Sequence, residues 1–410
     1  MQSLTLQLKI IHEFYKMKLS KSITANFLFL LVAITTNAQD VNFFQGDWEA
    51  LNKEALQQNK IIMVDAFTDW CGPCKAMDKM MFHDNAKVAE YINAHFLAYK
   101  VDCERDFGLV FTRKFKITGY PSLLFFNANG QLIERNLGFD PDEDNFLASL
   151  ADVVNMDQSD TYGYDAKKLD MDWPDFYAQA YRNANDSTWK FPKDADVSGY
   201  LAQQEDITTE INWAVMSRFN LDEYYTKEFK RRFGKLHKLY KKEATTKMQK
   251  ILFAEVVEAA NAKDEVMFSD VLAEVDSYFP GDPDNFKVQL QQYYYEATEN
   301  WEGFAELMTN VIKDGKMEID IDGINSAAWT LYEKCDNPEI LEMAKAWFQP
   351  YLPTLNTYAV MDTYAALLYK LNNLDEAKLW ANKAIETGKQ TGENVQETEM
   401  LLKKIQEESN

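Results

Sequence analysis

The sequence predicts two structural classes in one 410-residue chain, an α/β domain followed by an all-helical region. Three observations carry this. Residues 60–67, KIIMVDAF, form a short apolar run of β character, and residues 75–82 after it contain helix formers with apolar positions at Met77, Met80 and Met81. From about residue 156 strand-like alternation disappears, and apolar residues recur every three or four positions through 211–219, 250–257, 268–278 and 289–297. Lastly, Ala344-Lys345-Ala346-Trp347 is echoed by Ala377-Lys378-Leu379-Trp380, each after a helix and a short polar turn.

Taken in order, the N-terminus speaks first of location. Lys18 and Lys21 precede the apolar run 27–34, and Thr36-Asn37-Ala38 offers small residues at cleavage spacing, the pattern of a secretory signal peptide with Met17 as an alternative start. Eight apolar residues are far short of the roughly twenty needed to span a bilayer. The expected product is exported, periplasmic or extracellular, and soluble after cleavage, with segments 1–38 (signal), 39–155 (α/β) and 156–410 (helical). A composition of 46% hydrophobic and 26% charged residues is globular. The net charge of −22 becomes more negative still without residues 1–38, which disfavours nucleic acid and anionic membrane as partners.

Four cysteines, Cys71, Cys74, Cys103 and Cys335, are too few for a disulfide-stapled scaffold. Cys71 and Cys74 are set two residues apart, and neither a second such pair nor an HxxxH accompanies them, so no metal is expected. They fall at a strand-to-helix junction. Free amide N–H groups and the positive end of the helix dipole there stabilise a thiolate at Cys71, while Cys74, one turn deeper, can attack a mixed disulfide formed by Cys71. Gly72 permits the tight turn, and Pro73 costs no needed helix donor. Cys335 is expected to be a packed thiol and Cys103 a small core or surface thiol, with a redox role for Cys103 left open.

Residues 39 to about 155 resemble thioredoxin. Trp70-Cys71-Gly72-Pro73-Cys74-Lys75 matches that family's active site letter for letter, and Gly119-Tyr120-Pro121-Ser122 matches its cis-proline turn. Asn129-Gly130 suits a two-residue hairpin, and Gly138 falls at the family's late glycine. The resemblance implies a central mixed sheet flanked by helices, and Cys71, Cys74 and the buried acid Asp65 as the catalytic group, with Lys100 near that acid. Trp70, Gly72, Pro73, Tyr120 and Pro121 would position substrate. It implies no cofactor beyond the Cys71–Cys74 redox disulfide. Three departures stand out. Lys79 replaces a kink-making proline, which predicts a straighter active-site helix; Tyr120 replaces a smaller aliphatic residue; and 103–116 is a longer connection.

In the helical region, residues 358–386 resemble a tetratricopeptide repeat, with Ala365 on the first helix, Asn372-Asn373 in the turn, and Ala377 and Ala384 on the second. The clearest repeats lie within 324–390, and Tyr293-Tyr294-Tyr295 and Asn300-Trp301 suggest a degenerate unit upstream. Two functions follow. One is an exported thiol-disulfide oxidoreductase that reduces or isomerises protein disulfides. It would draw electrons from a membrane or exported donor, and its helical region would dock protein or peptide clients. The other is a binding scaffold in which the thioredoxin-like module is mainly structural.

Overall fold

A computed structural model describes residues 40–281, 285–315 and 320–409, so the expected signal segment lies outside the described residues. The chain forms two compact units, the first ending at Ala244 and the second beginning at Thr245.

The first unit opens with α1 (Trp48–Gln58), β1 (Ile61–Phe67), α2 (Gly72–Met77), a π-helical turn (Asp78–His83), α3 (Ala86–His95) and β2 (Phe96–Asp102). It continues through α4 (Asp106–Phe115), β3 (Ser122–Phe126), β4 (Leu132–Leu137) and α5 (Glu143–Asn155). The sheet order is β2-β1-β3-β4, with β2 parallel to β1, β3 antiparallel to β1, and β4 antiparallel to β3. Central β1 is buried without interruption from Ile62 to Ala66, which is why its sequence shows no alternation. On one face Met63 packs with Met77, Phe82, Ile92, Phe125 and Phe146. Elsewhere Trp48 meets Phe111 and Phe126 edge-on, at 5.3 and 5.2 Å. Side-chain caps fix the helix starts: Asp47 accepts from Ala50 N–H, and Asn85 from Val88 N–H. A Cβ at Gly108 would sit 1.7 Å from the Asp102 carbonyl, so only glycine lets α4 lie this close to the end of β2.

Three expectations need correction. The active-site helix is not a regular α-helix throughout. After Met77 it loosens into the π-helical turn, which supplies a local distortion where a proline is missing. The β3–β4 connection is longer than two residues: Asn127 N–H bonds the Gln131 carbonyl, and the Asn127 side chain accepts from Asn129 and Gln131 N–H groups. Residues 156–209 are mostly irregular, with only α6 (Asp175–Gln179) and α7 (Val197–Leu201) helical. Aspartate and asparagine side chains at 157, 165, 183, 186 and 206 bond the backbone two residues on, competing with helix formation.

The first compact unit reaches beyond the expected α/β segment, to Ala244. Residues 156–244, including α8 (Glu210–Arg218) and the first part of α9 (Glu223–Ala262), pack with the sheet domain through buried charges. Glu243 takes Lys116 at 3.0 Å and Arg135 at 2.6 Å and accepts from Tyr164, while fully buried Lys114 faces Glu210 at 2.5 Å. Burial pushes the Glu243 carboxyl up, but Lys116 and Arg135 outweigh it and hold it down at about 2. In sequence these residues look like solvated surface charges. Helix α9 carries a break at Lys241, whose φ is +48°.

The second unit continues through α10 (Glu265–Tyr278), α11 (Phe286–Thr298), α12 (Trp301–Asp314), α13 (Ile321–Lys334), α14 (Pro338–Trp347), α15 (Tyr358–Lys370), α16 (Leu374–Thr391) and α17 (Gln396–Glu408). Ala344, Trp347, Ala377 and Trp380, the echoed positions, all enter one core. Ala365, Ala377 and Ala384 are fully buried, and their small size lets α15 and α16 approach closely. Asn372, at φ +59°, makes the turn between these two helices. Tyr294 stacks on Phe268 at 3.8 Å, and Trp301 packs against the core. Among the described residues no helix is long and apolar enough to cross a membrane.

Candidate functional site

Cys71 is the N-cap of α2, in extended conformation, and its own N–H bonds the Thr68 carbonyl at 3.1 Å. Its Sγ accepts the Cys74 N–H at 3.0 Å, the backbone donor expected to favour a thiolate there. Cys71 and Cys74 are joined in a disulfide. Both are buried, whereas Gly72 and Pro73 between them are exposed, and a Cβ at Gly72 would meet no atom within 4 Å. The outer side of the turn is therefore open.

Asp65 sits in the middle of β1, paired in register with Lys100 on β2 and with Leu123 on β3. It is 2% exposed, and Oδ1 has no hydrogen-bond partner. Burial pushes its carboxyl up to about 7; Lys100, 3.8 Å away, draws it down, and Asp78 pushes it up again. A carboxyl so poised exchanges a proton near neutral pH. The Lys100 ammonium is in contact with Asp78 and lies over the Phe43 ring at 4.7 Å. Asp78 in turn meets His83 at 3.3 Å. These two stand five residues apart at the ends of the π-helical turn, whose i to i+5 repeat aligns positions that a regular α-helix would separate.

The rim is aromatic. Trp70 is 58% exposed yet fixed: its indole N–H donates to Glu104 at 3.1 Å, and its ring meets Tyr120 edge-on at 6.0 Å. Tyr120 precedes Pro121 through a cis peptide bond, and burial raises its phenol above the ordinary range. Glu104 is itself buried, and Arg182 Nη1 stands 3.6 Å from its carboxylate.

Cys71, Cys74, Gly72, Pro73 and Trp70 thus lie on one turn, Tyr120 borders it through Trp70 with Pro121 next in the chain, and Asp65 and Lys100 are adjacent on neighbouring strands. Sequence reasoning missed Asp78, Glu104 and Arg182. Asp78 had a weak signal, one helical turn after Cys74; the others had none, because their places depend on contacts 34 and 78 residues apart in sequence. Cys103 is fully buried, and burial pushes its thiol up to about 12, which suits an inert packed group; Cys335 is buried as well.

Residues 48–153 match the thioredoxin-like domain family. Two bacterial relatives named thiol:disulfide interchange protein DsbD align with this chain. That of Pseudoalteromonas atlantica is 32% identical over 87 residues, 21% of this chain and 15% of its own length. That of Colwellia psychrerythraea is 31% identical over 113 residues, 26% of this chain and 19% of its own. The chain thus spans less than a fifth of either relative. Among solved structures, a candidate disulphide-isomerase of Bacteroides thetaiotaomicron is 34% identical, with a TM-score of 0.26, covering 29% of this chain and 96% of that one.

Proposed function

We propose that this chain, whose residues 48–153 belong to the thioredoxin-like domain family, is a thiol-disulfide oxidoreductase acting through Cys71 and Cys74. The observation that supports this most is a disulfide at an open strand-to-helix turn, bordered by a cis-proline loop, in a sheet that also buries a carboxyl titrating near neutrality.

The chemistry is two-electron exchange. In the reduced protein the Cys71 thiolate attacks one sulfur of a client disulfide and expels the other as thiolate, forming a mixed disulfide. Cys74 gives its proton to ionised Asp65, and its thiolate attacks Cys71 Sγ. The client leaves as a dithiol after protonation, and Cys71–Cys74 is left oxidised. A donor dithiol must then supply two electrons, and Asp65 returns its proton. Pro121 and Tyr120 hold the client backbone extended against the turn, as an added strand would be. Trp70, edge-on to Tyr120, extends the same wall.

The dithiol reduces or isomerises protein disulfides in an exported setting, with electrons from a membrane or exported donor and client docking by the helical unit. The signal-like residues 18–38, the names of the aligned relatives and the paired helices of the second unit support these finer readings. Purified protein is expected to reduce insulin disulfides, and Cys71→Ser to abolish that activity. Cys74→Ser should accumulate mixed disulfides with clients, identifiable by mass spectrometry. Undiminished turnover by Cys71→Ser would sink the assignment.

A further inference from the structure

Trp70 is steadied from outside the family-matched residues. Arg182 lies 29 residues past the end of that match, in the irregular stretch that packs with the sheet domain. Its guanidinium carbon stands 5.8 Å over the Trp70 ring, and Nη1 lies 3.6 Å from buried Glu104, which also holds the indole N–H. Nearby, Ala184 N–H donates to the Glu104 carbonyl at 3.1 Å, anchoring the segment at this point.

The arrangement leaves a cation on the rim of the dithiol. A guanidinium carries five N–H donors, and one long contact to Glu104 leaves most of them unspent. The Arg182 side chain is half exposed while its counter-charge, Glu104, is buried, so of the two it is the arginine that a client can reach. The neighbouring Arg105 differs, because Asp69 at 2.7 Å and Asp102 at 3.1 Å already occupy its fork. The cation–π contact with Trp70, 5.8 Å from the guanidinium carbon to the ring, holds the charge beside the indole.

We propose that Arg182 is a specificity-determining residue, recognising a client carboxylate that flanks the cysteine under attack. This rests on the oxidoreductase reading above. Residues 156–244 thereby contribute to client choice at the dithiol, and clients with an aspartate or glutamate beside the reactive disulfide are favoured over those with a lysine there.

The test uses the full chain and a set of disulfide-linked peptides identical except for Glu, Gln or Lys beside the cysteine. The unaltered protein is expected to show kcat/KM about five- to tenfold higher for the Glu than for the Lys peptide, as one partly exposed charge pair allows. Arg182→Gln should bring that ratio close to one, Arg182→Lys should keep part of it, and Lys75→Gln, removing the exposed cation on α2, should leave it in place. In the unaltered protein the ratio should also shrink in high salt, a measurement that needs no variant to fold. A ratio near one in the unaltered protein, or a ratio that survives Arg182→Gln, overturns the proposal while leaving the oxidoreductase reading intact. Failure to reduce any of the peptides overturns both.

Discussion

The two compact units bury charge to very different extents. Among the described residues of the second, the buried polar groups are Thr363, Thr398 and a single ionisable side chain, Lys247, and the core closes on alanines, leucines and tryptophans. The first buries Asp65, Glu104, Lys114 and Lys116, with Glu243 and Arg135 close to buried. Taking an ion out of water costs several kcal/mol even after relaxation, so such groups need a reason to be there. The contrast separates two reasons. Glu243, Lys116, Arg135 and Tyr164 satisfy one another and clamp residues 156–244 to the sheet. Asp65 has one oxygen with no hydrogen-bond partner and a carboxyl raised to about 7, as the proton exchange proposed for it requires.

The clamp gives the largest expected effect on stability. Glu243→Gln leaves Lys116 and Arg135 buried beside a neutral amide and should cost about 3–5 kcal/mol, measured by urea unfolding at pH 7. A loss under ~1 kcal/mol would mean that the charges contribute little to joining the segments. The same carboxyl gives a pH signature. Its folded value, about 2, lies below its ordinary 4.5, so its contribution is present above pH 4.5 and is lost as pH falls toward 2.

Asp65 should behave in the opposite sense. The folded state holds its proton up to about pH 7, whereas the unfolded chain releases it near 3.8, so stability declines as pH rises across that window. Asp65→Asn should therefore stabilise the protein at pH 8, by as much as ~4 kcal/mol, have little effect at pH 4, and slow disulfide exchange. Equal effects at both pH values would remove Asp65 from the class of groups retained for chemistry.

The smallest effect belongs to the helical unit. Ala377→Leu overfills the contact between α15 and α16 and should cost about 1–3 kcal/mol with no dependence on pH between 4 and 8. Calorimetry at several pH values checks this, and a strong pH dependence would erase the contrast between the units.

What was legible in the sequence followed from local rules. The buried strand, the turn carrying Cys71 and Cys74, the Tyr120–Pro121 loop and the small residues of the last hairpin each show in a few consecutive letters. The extent of the first unit did not show, because Lys114, Lys116, Glu210 and Glu243 carry no local sign that they are buried. Nor did the π-helical turn that brings Asp78 to Lys100, since Lys79 announced only a missing proline. Glu104 and Arg182 became site residues through folding over long sequence distances, which periodicity cannot reveal.

The most direct measurement is the redox equilibrium of the Cys71/Cys74 couple against glutathione, followed by thiol trapping and mass spectrometry. A single reversible two-electron transition is expected, toward the reducing end between about −180 mV, typical of an isomerase, and about −270 mV, that of thioredoxin. A couple that fails to exchange reversibly, or one as oxidising as about −120 mV, would contradict the assignment of this dithiol to disulfide reduction or isomerisation.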